Sequence, residues 1–172
     1  MLNKENMRLM RTAAVFVVLA TLALSAQLAE RPLVSGPITP NRELFPAGAD
    51  AKADIKAALA RAAKEKKRVL VEFGALWCYD CHVLDHAFHS EPIKPYLDPN
   101  FLVVHVDVGR YDKNMDLVKK YEVPLAKGVP ALAVLASDGK LLFSQKNGEF
   151  EAARRMTVQD LTAFLEKWKP TK

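Results

Sequence analysis

A short apolar run, Val69-Leu70-Val71-Glu72-Phe73, ends just ahead of the pair Cys78 and Cys81. Its length and its branched side chains fit a strand covered on both faces. From Cys78 towards Ser90 the pattern turns helical, with Leu84, Ala87 and Phe88 on one side. Phe101 to Val108 is a second strongly apolar strand, so two central strands are joined through a helix. Before them, Ile55, Ala58, Leu59 and Ala62 recur at helical spacing between Asp50 and Lys67. Lys64, Lys66, Lys67 and Arg68 gather at that helix end, where the helix dipole favours cations. Asp112 to Tyr121 is helical in pattern. Ala131 to Ala136 and Leu141 to Ser144 flank the hairpin signal Asp138-Gly139. Thr157 can cap a last helix to Trp168, with Val158, Leu161, Phe164, Leu165 and Trp168 inside. The expected fold class is α/β, a central mixed β-sheet flanked by helices.

The chain has 172 residues, half of them apolar and 26% charged. This composition buries an ordinary core and excludes a disordered tail, a collagen-like fibre and a multi-span membrane protein. Lys4, Arg8 and Arg11 precede an apolar run from Ala13 to Leu24, followed by small and polar residues. Residues 1–29 therefore read as a secretory signal or, if uncleaved, as an N-terminal membrane anchor. Either reading exports the domain to a compartment that permits disulfides. Residues 30–47 hold Pro32, Pro37, Pro40 and Pro46 and read as a stiff, proline-rich linker. The globular domain is expected over residues 48–172. The net charge of +5 includes the leader's cations, and the rest interleave with acids. No basic and aromatic stripe exists for nucleic acid.

Two cysteines at this spacing on a helix start have a specific chemistry. The first sulfur meets backbone N–H groups at the positive end of the helix dipole, which lowers a thiol's pKa. Cys78 is then the attacking nucleophile, and Cys81, one turn inside, resolves the mixed disulfide. A purely structural bridge is a poor alternative, since so short a loop contributes only about 2 kcal/mol. Tyr79 and Asp80 stand between the cysteines and modulate them. A negative Asp80 opposes a Cys78 thiolate and leans the pair towards a reductase, unless water screens it. If the strand below is central, Glu72 turns its carboxyl towards the core, where burial raises the pKa and makes it a candidate base; on an edge strand it would stand in water.

The segment Phe73-Gly74-Ala75-Leu76-Trp77-Cys78-Tyr79-Asp80-Cys81 resembles the active-site segment of thioredoxin-fold proteins. Gly128-Val129-Pro130 matches that family's cis-proline loop, and the resemblance spans Asp50 to Trp168. The stretch from Phe88 to Val108, with its Ser90-Glu91-Pro92 turn, most resembles the C-terminal periplasmic domain of the thiol reductase DsbD. The resemblance implies a thioredoxin-like fold and a thiol-disulfide oxidoreductase needing no cofactor beyond its own redox-active disulfide. It implies that Glu72 takes the resolving cysteine's proton, and that His105 stands where the family often has a lysine beside that acid. Trp77, Val129 and a cis Pro130 would contact substrate. Partners would be protein thiols and disulfides and an upstream electron-donating thiol reductase, met by a monomer.

His82, His86 and His89 fall on one helix face with Asp85 between them. Cys78, Cys81, His82 and His86 thus form an alternative zinc or copper ligand set. The competing reading is a polar stripe turned to solvent, with His82 helping to stabilise a Cys78 thiolate when protonated.

Overall fold

In a computed structural model of the protein, residues 31–171 are described. The expected signal or anchor at residues 1–29 lies outside them. Among the described residues no helix is long and apolar enough to cross a membrane.

Helix α1 (Ala51–Glu65) begins where the Asp50 carboxylate accepts the N–H groups of Lys52 and Ala53, and ends at Lys66 in the left-handed region. Strand β1 (Arg68–Gly74) leads through a tight turn into α2 (Tyr79–Phe88). A short α3 (Lys94–Leu97) precedes β2 (Phe101–Asp107). Helix α4 (Met115–Lys120) follows, then β3 (Ala131–Leu135) and β4 (Leu141–Ser144). Helix α5 (Val158–Trp168) closes the chain, its start fixed by a reciprocal capping box of Thr157 and Asp160. The sheet order is β2-β1-β3-β4, with β1 parallel to β2 and the other pairs antiparallel. The expected elements and the mixed sheet are all present. The loop before Val129 holds a single 3-10 turn, Leu125–Lys127.

Alternation along β1 splits the core in two. Val69, Val71 and Phe73 face Ile55 and Ala62 of α1. Leu70 faces Leu84 of α2 and Leu161 and Leu165 of α5. Glu72 has the same parity as Leu70, which sends its carboxyl towards the α2 side, paired in register with His105 of β2.

The proline-rich segment is not a free spacer. It forms no helix, as its prolines require, yet Leu33, Leu44 and Phe45 are buried in the two cores. Leu33 N–H donates to Met156 C=O and Val158 N–H to Arg31 C=O, which seats the segment's start at the head of α5. Apolar side chains spaced between prolines decide this outcome, because leaving them in water forfeits about 25 cal/mol per Å². Phe45→Ala should therefore lower the unfolding free energy by about 3 kcal/mol in a urea titration. A change below about 0.5 kcal/mol, as for an exposed spacer residue, would contradict this packing.

Candidate active site

The turn from β1 into α2 sets the two sulfurs. Cys78 is the N-cap of α2 in extended conformation, and its Sγ accepts the Cys81 N–H at 3.0 Å. Its own N–H is held by Ala75 C=O at 2.9 Å. Cys78 and Cys81 are joined as a disulfide, both buried. Gly74 makes this compact, since a Cβ there would stand 2.7 Å from Cys81 Sγ and 2.7 Å from Phe45 Cζ.

Across from the sulfurs lies the Val129–Pro130 peptide bond, which is cis, with Val129 O 3.5 Å from Cys78 Sγ. Trp77 is 50% exposed, its ring packed edge-on against Tyr111 and its Nε1 donating to Gly109 C=O at 2.8 Å. Tyr79 is also exposed. Trp77, Val129 and Pro130 are thus gathered around the cysteine pair, as the family resemblance implies. Tyr111, from the loop after β2, joins them without any sequence motif to announce it.

Glu72 is fully buried, and its Oε2 lies 3.0 Å from His105 Nδ1. The contact is an ion pair without hydrogen-bond geometry: neither Glu72 oxygen nor His105 Nδ1 has a hydrogen-bond partner among the described residues. Burial raises the Glu72 carboxyl above its ordinary value, against the pull of His105. Burial also works against a charged His105, but the Glu72 carboxylate outweighs it and raises the imidazole. The His105 side chain is 24% exposed, so it stands between the buried acid and the surface. The Phe45 ring meets it edge-on, at a centroid distance of 5.9 Å.

The polar face of α2 is not the solvated stripe expected from its spacing. His82 and Asp85 are buried, while His86 and His89 are exposed. His82 Nε2 donates to Leu76 C=O at 2.8 Å, and its Nδ1 is buried without a partner among the described residues. Asp85 Oδ2 accepts from Asn41 Nδ2 at 3.1 Å. The segment from Asn41 to Phe45 covers this face, which a helical wheel of α2 alone does not reveal. Among the described residues no three His, Cys, Asp or Glu side chains are grouped to hold a metal.

Asp80 is not screened by water either. Its side chain is 6% exposed and paired with Arg154. Arg154 Nε donates to both carboxylate oxygens at 3.0 Å, Nη2 donates to Oδ2, and the Arg154 backbone N–H donates to Oδ1 at 2.8 Å. The guanidinium also lies over the Tyr79 ring, 5.4 Å from its centre. Arg154 is 74 residues from Asp80 in sequence, and no local pattern links them.

Residues 50–137 match a family profile described as Thioredoxin-like. A disulphide isomerase from Xylella fastidiosa Temecula1 is 36% identical and superposes with a TM-score of 0.68, over 75% of this chain and 98% of that one. The thiol:disulfide interchange protein DsbD of Pseudomonas fluorescens is 27% identical over 123 residues. That match takes in 70% of this chain, which spans only 19% of the DsbD protein. The reduced DsbD C-terminal domain of Neisseria meningitidis, 24% identical, shares the fold at a TM-score of 0.50, over 70% of this chain and 98% of that one.

A carboxyl raised on folding stabilises the fold most when protonated. That contribution is complete below the ordinary value of 4.5 and is lost as pH rises through the raised one. The raised His105 acts in the same direction, its contribution present below 6.5 and lost above. Glu72→Gln should therefore gain on the wild type by roughly 1–3 kcal/mol between pH 4 and 8 in urea titrations. Parallel pH profiles for the two proteins would contradict a perturbed Glu72.

Proposed function

The chain belongs to the thioredoxin-like family and is a thiol-disulfide oxidoreductase; from that premise we propose that it works outside the cytosol from its dithiol form, reducing protein disulfides. The single observation that carries this reading is the Cys78 sulfur at the start of α2, facing the Val129 carbonyl of the cis-proline loop. The names of its relatives agree with it, since interchange and isomerisation both begin from a thiolate.

Cys78 thiolate attacks one sulfur of the partner's disulfide. A Cys78–partner bond forms, the partner's own S–S bond breaks, and one partner thiolate leaves. Cys81 then loses its proton and attacks Cys78 Sγ, so that the Cys78–Cys81 bond forms and the second partner thiolate leaves. The partner has gained two electrons, and protons follow to its thiolates. We assign the Cys81 proton to Glu72, which lies on the strand beneath α2 and is raised towards the range a general base needs. Val129 offers backbone to an extended partner segment, and exposed Trp77 gives it an apolar rest. The electrons reside on the cysteines, and an upstream thiol reductase restores them. Residues 1–29 would export the protein, as a released domain or on a membrane anchor, and it would act as a monomer.

The reductase lean rests on how little stabilises the Cys78 thiolate. Its Sγ receives the Cys81 N–H and faces a carbonyl. Of the nearby basic groups, His82 donates its Nε2 to Leu76 and Arg154 is engaged by Asp80. A weakly stabilised thiolate makes a weakly oxidising disulfide.

Cys81→Ser should accumulate a stable mixed disulfide with a disulfide-bonded peptide, resolvable by mass spectrometry and released by dithiothreitol. Cys78→Ser should form none, and its reduction rate should fall to that of buffer. Adduct on Cys78→Ser at wild-type levels would overturn the assignment of attack to Cys78.

A further inference from the structure

We propose that Arg154 is a positioning residue for the cysteine pair, acting through Asp80 to set the ionisation of the Cys78 thiol. The inference rests on the oxidoreductase reading and names a control on that same site. Asp80 lies between the two cysteines, in the first turn of α2. A free carboxylate there works against a thiolate. In the structure its side chain is buried, and the N–H groups that saturate it come from one residue, through the guanidinium and the backbone together. Removing one partner of such a pair leaves a buried, uncompensated charge.

The placement of Arg154 points beyond packing. Its guanidinium reaches from the 3-10 turn Ala153–Arg155 across to the first turn of α2 and over Tyr79, while remaining 57% exposed. The same loop braces the other side of the site, since Glu151 packs against Gly128, just ahead of Val129. One loop thus holds Asp80 on one flank of Cys78 and the cis-proline turn on the other. The remaining ionisable groups around the cysteines are Glu72 from β1, His105 from β2, and Tyr79, His82 and Asp85 from α2. Unlike these, Asp80 is the acid between the two cysteines themselves, and Arg154 is its charge partner.

The test is the titration of the Cys78 thiol in reduced, full-length protein, followed by thiolate absorbance and by the pH dependence of alkylation. Arg154→Gln should raise the thiol pKa by about one pH unit, with about tenfold less thiolate at a given lower pH. Asp80→Asn should move it the opposite way, because the guanidinium is then left uncompensated at the first turn of α2. The double variant should return near the wild type, and Arg154→Lys should retain most of the effect of arginine. These opposed signs are what a merely structural role would not produce. Shifts in the same direction for the two single variants, or none in either, would overturn the proposal. Should Arg154→Gln fail to fold, a Cys78 pKa that stays or rises in Asp80→Asn overturns it alone. A Cys78 thiol that does not titrate in any of these proteins overturns the oxidoreductase reading and this proposal with it.

Discussion

A tight constraint at the site is the missing side chain at Gly74. Strand β1 ends there, and within four residues the chain must reverse and present Cys78 as the cap of α2. Cys81 then falls against the end of the strand, with Phe45 closing the same space from the other side. Any Cβ at Gly74 would press on both, which is why a glycine stands there for close approach rather than for an unusual backbone angle. The close packing of Cys81 and of Phe45 from the N-terminal segment against the end of β1 depends on this contact.

Burial governs the electrostatics beneath the cysteines. Glu72 is fully buried, and the Phe45 ring meets its partner His105 edge-on. A carboxyl in such a place is favoured in its protonated form, and one imidazole at 3.0 Å compensates only part of its charge. The result is a buried carboxyl favoured in its protonated form, with the partly exposed His105 at its side. On the active-site surface the opposite arrangement holds, where the acid of the cysteine loop is closely met by a guanidinium. Two carboxyls near one disulfide are thus given different roles by their surroundings, one perturbed and one neutralised.

Much of this was legible in the chain. The apolar run before the cysteines, the Val-Pro ahead of β3, the Asp138-Gly139 hairpin and the Thr157 cap are local signals, and each marks a real element. The pairing of Glu72 with His105 follows from alternation on two parallel strands once their register is known. What escaped the sequence depends on segments that meet from afar. The polar face of α2 reads as solvated because periodicity reports which residues share a face but not what lies over it. Here Asn41 to Phe45 lies over it, a segment whose prolines suggested a spacer while Leu44 and Phe45 supplied the burial. Arg154 is the clearest case. An exposed-looking arginine late in the chain carries no mark of the aspartate it serves, and the notion of an unscreened Asp80 fails for that reason alone.

The central claim is that the Cys78–Cys81 pair works from its reduced form. It is tested most directly by equilibrating the protein in glutathione or dithiothreitol redox buffers and measuring the fraction of disulfide. The account predicts a potential near or below that of thioredoxin, about −270 mV. A value near about −120 mV, that of a strong oxidant, would contradict it and make the protein a disulfide donor.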